Sequence, residues 1–129
     1  MQIVKAGKDA GAPSELRSAT FTGLVYADPL LAIPGELGVV RVFFAPAART
    51  FWHTHERGQL LHVISGRGLI CAAGGLPQAL EAGDTVWAEP GERHWHGGGP
   101  DTVLLHLAVS LGTTNWLEAV PDADYAAGR

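Results

Sequence analysis

An all-β sandwich or barrel is the fold class this sequence predicts, on three observations. Short segments rich in Val, Ile, Thr and aromatic residues recur at close spacing. Turn residues stand between them, drawn from 17 Gly and 8 Pro, as strand-and-turn architectures require. No amphipathic stretch of helical period reaches useful length, and nothing repeats beyond two histidine-bearing stretches. At 129 residues the chain, 1–129, reads as one domain: enough for a core, too short for two ordinary ones.

Residues 1–19 open with Gln2-Ile3-Val4 as a short strand, followed by a polar Gly/Pro/Ser stretch suited to a loop. Thr20 to Ala27 has strand composition, and Asp28-Pro29 is expected to end it, with Leu30 to Leu37 a loop over apolar surface. Gly38 to Ala45 is a strand with Val40, Val42 and Phe44 on one face and Val39, Arg41 and Phe43 on the other. Leu60 to Ser65 and Leu69 to Ala73 read as two strands joined by a Gly66-Arg67-Gly68 hairpin turn. Gly74-Gly75 turns, Gln78 to Glu81 is short, Ala82-Gly83-Asp84 turns, and Thr85 to Ala88 is a strand. Pro90-Gly91-Glu92 leads into His94-Trp95-His96, which Gly97-Gly98-Gly99-Pro100 breaks. Thr102 to Ser110 carries the strongest strand signal. The tail holds Trp116 to Val120 and a turn from Asp122 to Ala126.

Composition excludes several function classes. A formal charge of -4 without any basic cluster argues against a nucleic-acid or anionic-membrane surface. Cys71, the single cysteine, permits no internal disulfide and reads as a buried, inert thiol in an apolar run. The first residues lack a signal-peptide core, and no run approaches the roughly 18 apolar residues that span a bilayer. The expectation is a cytoplasmic protein acting on a small molecule.

The chemistry concentrates in Arg49-Thr50-Phe51-Trp52-His53-Thr54-His55-Glu56-Arg57-Gly58-Gln59. His53 and His55, one residue apart on an extended segment, point to the same side. The turn at Gly58 returns Gln59 toward that side, and His94 in the second stretch is a fourth candidate. Imidazole nitrogens with one oxygen donor suit Mn, Fe, Ni, Cu or Zn. If these side chains point inward, parity adds Val40, Val42, Phe44, His96, His106, Ala108 and Ser110 to an apolar pocket with histidines at its centre. Trp95, Leu105, Leu107 and Val109 then face out. His96 and His106 are either hydrogen-bonded core histidines or an acid/base pair beside the metal. Glu56 is expected in solvent, and His62, on the opposite parity, as a packed or interface histidine. The four Trp residues, 52, 87, 95 and 116, are expected in core and interface packing.

The two stretches resemble the paired motifs of the cupin superfamily, G-x5-H-x-H-x3,4-E-x6-G and G-x5-P-x-G-x2-H-x3-N. His53, His55 and Gly66 match the first, with Ala47 in place of its first Gly and Gln59 in place of its Glu. Gly83, Gly91 and His94 match the second, with the Pro displaced to Pro90 and Gly98 in place of the Asn. The Asp28-Pro29-Leu30 segment, the Pro100-Asp101-Thr102 turn and the tail Trp116 to Asp122 extend the likeness. Together they are similar to small single-domain cupins that include manganese-dependent bacterial (R)-hydroxynitrile lyases. That resemblance implies a double-stranded β-helix, or jelly roll, with the metal inside the barrel, held by His53, His55, Gln59 and His94.

Three imidazoles and a neutral amide leave a divalent ion its full charge and make it a strong Lewis acid. The resemblance implies cleavage or synthesis of small aromatic cyanohydrins on one divalent ion per chain, manganese first, and inward parity makes His106, helped by His96, the group expected to move the proton. Alternatives on the same ligands are a metal-dependent dioxygenase, a zinc polyketide cyclase, or a non-catalytic small-ligand-binding cupin. Apolar outward positions further predict a homodimer or higher homo-oligomer.

Overall fold

Twelve strands and one short helix make up the described part of the chain, residues 1–5 and 13–129 of a computed structural model. The expected loop region at 6–12 lies outside those residues. Gln2-Ile3-Val4 forms no strand: Ile3 and Val4 are exposed, and the sheet edge is occupied instead by β1 (Glu15–Arg17), which pairs with β3 (Val25–Ile33). Part of the expected loop before Thr20 is therefore a strand.

The order β1-β3-β4-β11-β7-β10-β5-β2 winds into a nearly closed barrel of antiparallel strands. Here β2 is Phe21–Thr22, β4 Leu37–Phe44, β5 Arg49–Thr50, β7 Gln59–Ala72, β10 His94–Gly98 and β11 Leu104–Leu111. Shorter strands complete the walls: β6 (His53–His55) beside β10, β8 (Gln78–Glu81) and β9 (Thr85–Ala88) beside β7, and β12 (Thr114–Trp116) beside β6. Closure leaves few bare edges, which is how all-β folds avoid unwanted pairing.

Three sequence expectations are corrected here. Asp28-Pro29 does not end a strand: β3 continues to Ile33 and steps its register on β4 from Pro29↔Val40 to Leu31↔Val39. The resulting bulge is one of the few places where a sheet tolerates Pro. Gly66-Arg67-Gly68 is no hairpin turn: β7 runs unbroken, pairing with β11 and β9 in its first half and with β8 and β10 in its second. Gly66, at φ +83, marks the bend, because a Cβ there would strike the Val103 carbonyl. Likewise β10 runs on through Gly97 and Gly98, whose bare backbones let Ala48 and Ala45 approach closely. In each case Gly or Pro served a bulge or a close approach rather than a chain reversal.

Two apolar clusters hold the walls. Val25, Val42, Phe44, Val63, Leu80 and Leu104 fill one end of the barrel. Leu69, Cys71 and Trp95 pack beneath Val120 and Tyr125 of the C-terminal segment, which ends in α1 (Asp122–Tyr125). Trp95 and Cys71 are thus buried on the outside of the sheet, away from the cavity. Arg49, itself buried, ties this segment down by donating to the Val120 carbonyl at 2.7 Å and to the Asp122 carboxylate at 2.7 Å. The Tyr125 hydroxyl donates to the Gly98 carbonyl at 2.7 Å.

Candidate metal centre

Five of the six histidines in the chain converge at one place, and antiparallel register is the reason. His53 and His55 share a face of β6, with ring centroids 4.9 Å apart. His53 pairs directly with His94 of β10, their rings 4.4 Å apart, and His96 follows on the same face of β10 at 5.6 Å. Gln59 opens β7 opposite Ser110 of β11 and donates from its amide nitrogen to the Ser110 hydroxyl at 3.1 Å. That turns its Oε1 to within 3.0 Å of His94 Nε2. His106, on β11, places its Nε2 3.0 Å from His96 Nδ1. All of these side chains except Ser110 are buried.

The outer nitrogens are held in place. His53 Nδ1 lies 2.8 Å from the Phe51 carbonyl, His94 Nδ1 2.9 Å from the Glu92 carbonyl and His55 Nδ1 3.1 Å from the Thr114 hydroxyl. The two carbonyl contacts fix the tautomers of His53 and His94 and leave Nε2 as the free lone pair, the arrangement of metal-binding histidines, while the Thr114 hydroxyl orients the His55 ring. His55 Nε2 is buried with no partner. His94 is more telling. It stands between two acceptors, the Glu92 carbonyl and Gln59 Oε1, and a neutral imidazole has one N–H to give.

Burial keeps these rings neutral. Desolvation is the largest cause for each, lowering His53 and His96 well below the ordinary histidine value and lowering His94 as well. Burial first, then the neighbouring His94, brings His55 to about 4, and burial brings His106 to about 4. Nitrogen and amide lone pairs thus face one another in a buried site, a donor set that fits one divalent cation. Among the described residues, the three histidines whose nitrogens lie within 4.8 Å of one another are His53, His94 and His96, a group without His55. His96 therefore sits at the centre as closely as the motif histidines do, although its Nδ1 is engaged by His106.

A cavity of about 600 Å³ opens onto this cluster. Val40, Val42, Phe44, Ala108 and Ser110 line it, together with His53, His55, Gln59, His96 and His106. His94 does not reach the cavity wall and lies against His53 and Gln59 instead. Glu56 is exposed and held by Arg57. His62 is exposed on the outer face beside Thr85, rather than packed. Sequence reasoning missed Trp116 and Thr114, which β12 brings against His53 and His55. Nothing local signals that pairing, since some 60 residues separate β12 from β6.

The chain belongs to the cupin family: the model described as Cupin domain matches residues 40–108. It is 40% identical to a protein named (R)-mandelonitrile lyase from Granulicella tundricola, over 97% of this chain and 98% of that one. Among solved structures, a cupin-like protein from Thermotoga maritima superposes with a TM-score of 0.83 at 34% identity, covering 88% of this chain and 94% of its own. The polyketide cyclase RemF from Streptomyces resistomycificus shares the fold, with a TM-score of 0.72 at 17% identity over 95% of this chain and 91% of its own.

Proposed function

We propose that the protein is a metal-dependent lyase that cleaves and forms small aromatic cyanohydrins. The observation that carries this reading is the 40% identity, across nearly the whole chain, to a relative named (R)-mandelonitrile lyase. His53, His55, Gln59 and His94 would hold one divalent ion, manganese by the resemblance. When bound, that ion supplies Lewis acidity and lowers the pKa of a substrate hydroxyl beside it.

The remaining work falls to the chain's own side chains. Val40, Val42, Phe44 and Ala108 give the cavity apolar walls that receive the organic group and exclude water. His96, neutral through burial and with no protein partner at Nε2, accepts the hydroxyl proton. His106 Nε2 steadies it at Nδ1, so the two act as a pair with His96 nearer the ligand set. The C–CN bond then breaks, its electron pair leaving on cyanide while the oxygen's electrons form the carbonyl. Returning the proton to cyanide completes hydrogen cyanide and an aldehyde.

Purified protein loaded with manganese should cleave mandelonitrile equally well in air and without oxygen. Cleavage that required oxygen would replace the lyase with an oxygenase. Gln59→Glu would add a negative charge to the ligand set, binding metal at least as tightly while slowing cleavage. Equal activity at equal metal content would remove the Lewis-acid role.

A further inference from the structure

Five aromatic rings form a closed circuit on the cavity wall. The Trp116 ring lies 4.7 Å from that of His53 and 5.5 Å from that of Phe21. Phe21 is 6.3 Å from Phe44, Phe44 is 5.9 Å from His96, and His96 returns to His53 at 5.2 Å. Every member lines the cavity. The circuit follows from pairing: Trp116 sits opposite His53, and Phe21 opposite Thr50, whose hydroxyl accepts the backbone N–H of His96.

Plain core packing explains Phe44, which is fully buried, and the side of Phe21 that packs against the same cluster, but not Trp116 at the other end of the circuit. Trp116 is 39% exposed and Phe21 only partly buried, so two large apolar rings meet water beside the candidate metal site. Such rings, tilted at 57° to one another, present faces and edges to whatever enters. Aromatic pairs attract at centroid separations of about 4.5–7 Å through their quadrupoles, a contribution that a saturated ring cannot make. Val40, Val42 and Ala108 supply only aliphatic contact, which does not discriminate between the two.

We propose that Phe21 and Trp116 form an aryl-recognition subsite, with Trp116 the specificity-determining residue that selects a planar aromatic substituent over an aliphatic one. Contact of Trp116 with His53 places that substituent next to the ligand set. The inference rests on the lyase reading only for what is done to the substrate, not for the class of group bound.

Ligand-observed NMR titration of the manganese-free, zinc-loaded protein with benzyl alcohol and with cyclohexylmethanol compares two probes that differ in aromaticity. Wild type should bind benzyl alcohol more tightly. Trp116→Leu should weaken benzyl alcohol by about 3- to 10-fold while changing cyclohexylmethanol less than 2-fold, and Trp116→Phe should restore most of the preference. Equal loss for both probes, or no loss for either, overturns the proposal. Metal content is measured on every sample; if Trp116→Leu loses metal or fails to fold, Phe21→Leu decides the question on the same criterion. Mandelonitrile turnover is assayed in parallel. A wild type that prefers benzyl alcohol yet turns over no cyanohydrin would remove the lyase reading and leave the subsite standing.

Discussion

Ala47 adopts φ +63, the sole non-glycine residue at positive φ among the described residues, at the position where the cupin motif carries Gly. Its backbone N–H donates to the Gly99 carbonyl at 2.8 Å and its carbonyl accepts from Arg49, so neighbours hold it there. A Cβ in the left-handed region costs about 1–2 kcal/mol, partly offset by the greater freedom of Gly in the unfolded chain. Ala47→Gly should therefore raise stability by about 0.5–1 kcal/mol, read from urea denaturation; an unchanged or lower midpoint would show that the surroundings have adapted to Ala. At this scale the sequence was informative about identity and parity. Period-2 alternation alone put His53 with His55 and His94 with His96, and the structure finds each pair on one face. It pointed Trp116 to core or interface packing rather than to the site, because a residue's cross-strand partner depends on register between distant segments.

Among elements, β7 and β3 show why turn residues mislead. Glycine and proline mark departures from regular backbone, and a bulge or a bend within one strand carries the same residues as a reversal. Gly66 and Pro29 carry the signature of strand ends and are bends within strands. Strands without such residues, such as Thr85–Ala88 and Gln78–Glu81, were legible to the residue. The C-terminal segment is held by apolar packing of Val120 and Tyr125 on Leu69, Cys71 and Trp95, together with polar contacts to the barrel. Removing the Tyr125 hydroxyl leaves the buried end of its bond to the Gly98 carbonyl unmade, at a cost of about 1–3 kcal/mol. Tyr125→Phe should lower the thermal midpoint and speed proteolysis of the last ten or so residues, while metal content stays the same. Unchanged proteolysis would mean that Arg49 and Val120 suffice to hold the segment.

For the whole molecule, the outer face of the sheet carries cross-strand rows of apolar residues. Val39, Val109, Leu60 and Trp87 lie side by side in one row, and Tyr26, Phe43 and Leu105 in another. Leu60, Trp87 and Tyr26 are exposed. Such a face is larger than scattered surface residues require. We propose that a second copy of the chain covers it, since a sheet face related by a two-fold axis meets its own complement. Light scattering should give twice the 13.6 kDa chain mass, and Leu60→Glu should return it to one chain. A single-chain mass for the wild type at micromolar concentration would leave the face without this partner. No helix among the described residues is long and apolar enough to cross a membrane. The barrel was legible as a class from strand spacing alone; its closure was not, because it rests on the course of β7 from one wall to the other.

The most direct test of the account is a metal titration. Protein stripped by a chelator is titrated with manganese, and mandelonitrile cleavage and bound metal are followed together. Activity should be absent at the start, rise in proportion to bound metal and level off at one ion per chain, and His53→Ala and His94→Ala should neither bind nor respond. Full cleavage by the stripped protein, or stoichiometric metal in both variants, would contradict it.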